Sequence, residues 1–98
     1  MNAPAMFRSR NQAGGEFLLL DAASAHSLLD IAESTRDATE ARRHAQLARE
    51  TVTTMNRYLQ TLEMDASLRA VLERSRDKLE LRLAAIERWS AASAAVGA

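Results

Sequence analysis

The sequence predicts an all-α protein, a small antiparallel three-helix bundle, on three observations. Residues 16–96 contain neither Gly nor Pro and are dominated by Ala, Leu, Arg and Glu, all good helix formers. Two capping signals, at Asp37 and at Asp65 or Ser67, interrupt that block. The middle segment is apolar on two adjacent stripes, as a helix touching two neighbours must be.

Residues 1–15 stand apart. They hold Pro4, Gly14, Gly15 and the amides of Asn2, Asn11 and Gln12, with no acidic residue, and read as a mobile N-terminal arm ahead of one helical domain over 16–98. The first helix is expected at about 16–33. Phe17, Leu20, Leu28 and Ile31 lie near one face of it, with Leu18, Ala25, Leu29 and Ala32 beside them. Ser34-Thr35-Arg36-Asp37-Ala38-Thr39-Glu40 ends it, because Asp37 with Glu40 three residues on has the form of a capping box.

The second helix is expected at about 38–62. One stripe holds Ala41, Ala45, Ala48, Val52 and Leu59, and a neighbouring stripe holds His44, Leu47, Thr51, Met55, Tyr58 and Leu62. The Ala stripe permits close approach of another helix. The third helix, at about 66–92, gathers Leu68, Leu72, Ser75, Leu79, Leu83, Ile86 and Ser90 on one side. The alternative architecture reads through Asp37. It joins the first two segments into a long two-helix hairpin that pairs into a dimeric four-helix bundle along a heptad seam from Ile31 to Leu62. The N-terminal half of that seam is only Ser and Ala, so the capped bundle ranks above it.

Composition narrows the function. The absence of cysteine rules out disulfides and Cys-based zinc sites. No apolar run approaches the roughly 20 residues of a membrane span, and Phe17-Leu18-Leu19-Leu20, flanked by Glu16 and Asp21, is too short for a signal sequence. A cytoplasmic location is expected. Twelve of the 13 cations are Arg, the bias of a GC-rich bacterial gene. No Gly-x-Ser-x-Gly elbow and no phosphate loop occur. His26 with Asp30 and Glu40 with His44 have i, i+4 spacing, but two ligands on one helix fall short of the usual three or four. The sequence therefore predicts neither an enzyme nor a metal or cofactor site.

Charge and exposed apolar residues carry the rest. Residues 16–33 hold Glu16, Asp21, Asp30 and Glu33 and no cation, so an acidic first helix lies beside two mildly basic ones. This reads first as complementarity within the bundle. Arg74, Lys78 and Arg82 form a basic i, i+4, i+8 row on the third helix, with Trp89 on the same edge. The row suits a carboxylate-bearing helix. A net charge of zero and the neighbouring acidic stripe disfavour nucleic acid, though a weak nucleic-acid-associated regulator using Arg8, Arg10 and this row is the alternative. Leu18, Leu29, Leu47, Tyr58, Leu81 and Trp89 lie off the main stripes, and a thin Ala-rich core needs help. The sequence accordingly predicts a homodimer and a protein-interaction module whose partner-binding residues are drawn from Leu47, Tyr58, Leu81, Trp89, Arg74, Lys78 and Arg82.

Overall fold

Asp37 breaks the chain where its sequence says it should. Its Oδ1 accepts from the backbone N–H groups of Thr39 (2.9 Å) and Glu40 (3.3 Å), which satisfies two donors that the first turn of a helix leaves without a partner. The Asp37 N–H, which a capping box would hand to Glu40, donates instead to Thr35 Oγ1 at 3.2 Å. The hairpin alternative, which needs residues 30–45 to be one straight helix, is excluded by this break over Thr35–Asp37. Replacing Asp37 by alanine is expected to cost about 1 kcal/mol. That should appear as a fall of roughly 4–8 °C in the thermal midpoint followed by circular dichroism; an unchanged midpoint would show that the turn is set by packing alone.

A computed structural model describes the backbone of residues 3–97 and the side chains of residues 14–95. Three α-helices pack against one another: α1 (Ala3–Ser34), α2 (Ala38–Thr61) and α3 (Ala66–Gly97). Short breaks at 35–37 and 62–65 make neighbours antiparallel, so α1 and α3 run parallel. The result is a rod of 64 × 16 × 15 Å with a radius of gyration of 16.4 Å, against about 13 Å for a compact domain of this length.

The second break is held by α3. Arg69, in its first turn, reaches back and donates to the carbonyls of Leu59 (2.5 Å) and Leu62 (2.8 Å). These lie at the C-terminal end of α2, where carbonyls lack helical partners and a cation is favoured.

The core takes Leu18, Ala22, Ala25, Leu29 and Ala32 from α1, and Ala41, Ala45, Ala48, Val52, Met55 and Leu59 from α2. From α3 it takes Leu68, Leu72, Leu79, Leu83 and Ile86, with Ser90 also buried. The face of α3 and the Ala41–Leu59 stripe of α2 follow the sequence pattern, whereas of the second stripe of α2 only Met55 is buried, with His44, Thr51 and Leu62 half-buried and Leu47 and Tyr58 exposed. The face of α1 does not follow it: Leu18 and Leu29 are core residues rather than intersubunit candidates, and Phe17, Leu20 and Ile31 are exposed. The alanines of α1 and α2 are matched by an α3 core face made of Leu and Ile, so large residues meet small ones across the bundle.

The helix ends also differ from expectation. α1 begins at Ala3 rather than near residue 16, so most of the stretch read as an arm is helical backbone, and α3 continues past 92 to Gly97. Gly14 and Gly15 are interior helical residues with ordinary negative φ. Their role is close approach. A Cβ on Gly15 would fall 2.7 Å from Leu68 Cδ2 and 3.5 Å from Met64 Sδ, and one on Gly14 would fall 3.3 Å from Leu62 Cδ1. The glycine pair is where α1 passes the α2–α3 turn.

Candidate functional site

Two of the three seams of the bundle are fastened by arginine. At the α1/α3 seam, Arg82 is the hub. Its Nε donates to Glu33 Oε1 (2.8 Å), which Nη2 also contacts, and Nη2 donates to Asp30 Oδ1 at 2.6 Å. Its Nη1 donates to His26 Nδ1 at 2.8 Å and to the His26 carbonyl at 3.4 Å. Burial acts against the Arg82 charge, but the hydrogen bonds to Glu33 and Asp30 outweigh it and leave the guanidinium pKa raised. At the α2/α3 seam, Arg49 meets Glu87 at 2.6 Å and Arg76 donates to Asn56 Oδ1 at 3.3 Å. Among the described residues, no side-chain hydrogen bond or ion pair joins α1 to α2.

This geometry fixes the state of His26. Guanidinium only donates, so Nδ1 must accept and the ring proton sits on Nε2. Burial, then the Arg82 charge, lowers the His26 pKa below its usual value. Between about pH 6.5 and the lowered folded-state value, the unfolded chain binds more proton at His26 than the folded chain does. This contribution to stability is therefore full above about pH 6.5 and is lost as pH falls through the folded-state value. His26→Gln, which does not titrate, is expected to flatten the fall in urea midpoint between about pH 7 and about pH 5. An identical slope in the variant would mean that His26 is not linked to folding.

The histidines are thus engaged in other ways than the i, i+4 metal pairs would be. His26 and Asp30 converge on Arg82, and His44 Nδ1 lies 2.9 Å from the Glu40 carbonyl of its own helix. Among the described residues, no group of three or more His, Asp or Glu is placed to hold a metal ion, and no helix is long and apolar enough to cross a membrane.

Of the predicted partner-binding residues, Leu81, Arg82 and Trp89 share one groove and Tyr58 lines another, while Leu47, Arg74 and Lys78 line neither. Leu81, Arg82 and Trp89 meet at the α1/α3 seam in an open groove of about 580 Å³, completed by Ala32, Glu33, Ala85 and Ile86. Leu81 is 74% exposed and Trp89 41%. They stand with Ala85 in an i, i+4, i+8 row over an apolar floor. Arg82 belongs to the rim, where its charge is already met by α1. Of the basic row, Arg74 and Lys78 are exposed on the same helix.

Tyr58 lies in the second groove, between α1 and α2, about 350 Å³ in volume, with Phe17, Asp21, Thr54 and Leu62 around it. The Arg57 guanidinium lies 5.7 Å from the centre of the Tyr58 ring, within cation–π range. Leu47, half exposed, lies on the same flank of α2. A third hollow, of about 660 Å³, follows the outside of the α2–α3 turn around Arg69. It is larger but consists of the turn that Arg69 closes and gathers no convergent chemistry. Phe17, Leu20 and Ile31, which the sequence pattern places inward, are exposed; no feature of α1 alone separates them from the buried stripe beside them.

The chain matches no protein family, no curated protein and no solved structure.

Proposed function

We propose that this protein is a non-enzymatic helical interaction module that docks an amphipathic helix of another protein in the α1/α3 groove. The observation that carries this reading is the exposed Leu81–Ala85–Trp89 row beside an Arg82 that is already neutralised. Exposed aromatic and aliphatic anchors over an apolar floor are the usual core of a helix-in-groove contact. Arg74 and Lys78, exposed along the same helix, favour a partner helix flanked by carboxylates. With no cysteine in the chain, the reducing cytoplasm is the expected setting.

Engagement of Arg82 by Asp30 and Glu33 takes one cation away from the basic row, which weakens the nucleic-acid alternative further, because that binding scales with the number of phosphates neutralised. The test is quantitative affinity capture with and without nuclease. On this reading a single protein is recovered at moderate salt, and Leu81→Glu or Trp89→Glu weakens its binding at least about tenfold with helix content unchanged. Recovery of nucleic acid that survives moderate salt and is lost in Arg74→Glu/Lys78→Glu would overturn it.

A further inference from the structure

We propose that the outer face of α1, with the adjoining flank of α2, pairs with the same face of a second copy of this chain about a two-fold axis passing at Ser24. The face is not the α1/α3 groove, so the two readings stand or fall separately.

The first argument is charge. The side of a surface helix away from the core is normally charged. On α2 that side carries Arg43, Glu50 and Arg57. On α1, stepping 100° per residue from the buried Leu18–Leu29 stripe, it carries Phe17, Leu20, Ser24, Ser27 and Ile31, all exposed, and its one charge, Glu16, lies at the N-terminal end, away from Ser24. Phe17 and Leu20 are 62% and 67% exposed. Among the described residues, the α1/α2 seam beside them is also the one that no arginine fastens. A centre without charge is what an isologous contact requires, because a two-fold axis brings each central charge close to its own copy.

The second argument is symmetry. Phe17 and Ile31 are equidistant in sequence from Ser24, and so are Leu20 and Leu28. Antiparallel pairing of α1 with its copy, in the 3-4 spacing of a helix–helix seam, sets Phe17 against Ile31 of the second copy and Leu20 against Leu28 of the second copy. The two charges that border the face, Glu16 and Asp21, then lie level with Ala32 and Ser27 of the second copy rather than with another carboxylate. The flank of α2 has the same symmetry. Gly14 rests against Leu62 and the helices are antiparallel, so Leu47 is level with Leu29 and Tyr58 with Leu18, on opposite sides of Ser24.

The third argument is area. The face from Phe17 to Ile31 is about 21 Å long at 1.5 Å per residue and two helices, or about 20 Å, wide, so it covers about 420 Å² per copy, about 840 Å² in all. That is the size of weak, reversible contacts and lies below that of permanent ones, so the dimer is expected to dissociate on dilution.

Sedimentation equilibrium from about 1 to about 200 μM is expected to show reversible dimerisation. Leu20→Glu/Ile31→Glu should weaken it on the order of a hundredfold, whereas Leu81→Glu should leave it intact. Because the chain has no cysteine, single-cysteine variants report the geometry even where the double variant folds poorly. Ser24→Cys should form a covalent dimer under mild oxidation, and an equimolar mixture of Phe17→Cys and Ile31→Cys should cross-link, while Glu80→Cys should not. A monomer mass throughout that range, or dissociation by Leu81→Glu, would overturn the proposal. So would cross-linking of Glu80→Cys as efficient as that of Ser24→Cys.

Discussion

Truncating Leu29 to alanine is expected to remove about 3–4 kcal/mol of stability, a large part of the roughly 5–15 kcal/mol available to a domain of this kind. Leu29 has no exposed surface, and it is the largest side chain that α1 contributes to the centre of the core, where its neighbours in sequence are Ala25 and Ala32. Alanine there leaves a cavity that the small residues of α1 and α2 cannot fill. The lost transfer energy and the cavity term therefore add. The reading is a lower urea midpoint at unchanged m-value. In dilute protein, where copies are apart, the same truncation at Leu20 should stay within about 0.5 kcal/mol. Equal losses at the two positions would mean that α1 is rotated from the face described.

α1 offers two adjacent apolar stripes, and side-chain size alone favours burying the bulkier one, Phe17–Leu20–Leu28–Ile31. The bundle buries the smaller stripe, Leu18–Ala22–Ala25–Leu29–Ala32, because the facing stripe of α2 is Ala41–Ala45–Ala48 and brings the two backbones close. The volume missing from that contact is supplied by Leu72, Leu79, Leu83 and Ile86 of α3. Side-chain size on one helix cannot decide its orientation when the space it must fill is set by the other two. Where a single helix carried a single stripe, as in α3, periodicity alone identified the core.

Local signals fared by the same rule. Asp37 was legible because an N-cap is made by residues three apart. Arg69 was not, because its hydrogen bonds to Leu59 and Leu62 exist only once α3 has folded back on α2. Gly14-Gly15 has the composition of a linker, and only the proximity of Leu62, Met64 and Leu68 makes it a contact point inside a helix. The partner-binding candidates Leu81 and Trp89 could be paired from their i, i+8 spacing. Arg82, read from the sequence as a partner-binding cation of the basic row, is instead occupied by Asp30 and Glu33; the acidic character of residues 16–33 gave only a general complementarity, and the pairing itself depends on the parallel register of α1 and α3.

Reversing that contact should have the second large effect. Arg82→Glu is expected to destabilise the protein by about 2–3 kcal/mol. It deletes charge-assisted hydrogen bonds to Glu33, Asp30 and His26 and sets a third carboxylate among two others. Asp30 and Glu33 are themselves 72% and 49% exposed at the side chain, so water and salt screen part of the interaction, and the loss stays below that of a fully buried pair. Arg82→Met separates the two contributions, since it removes the hydrogen bonds, keeps the aliphatic stem against the groove and adds no charge; about 1 kcal/mol is expected. The difference between the two variants is repulsion and should shrink as ionic strength rises toward 1 M, where the Debye length falls to about 3 Å. If Arg82→Glu were no worse than Arg82→Met at low salt, the acidic face of α1 would not be a counter-charge for α3. The basic row from Arg74 to Arg82 would then be free in its entirety for an acidic partner.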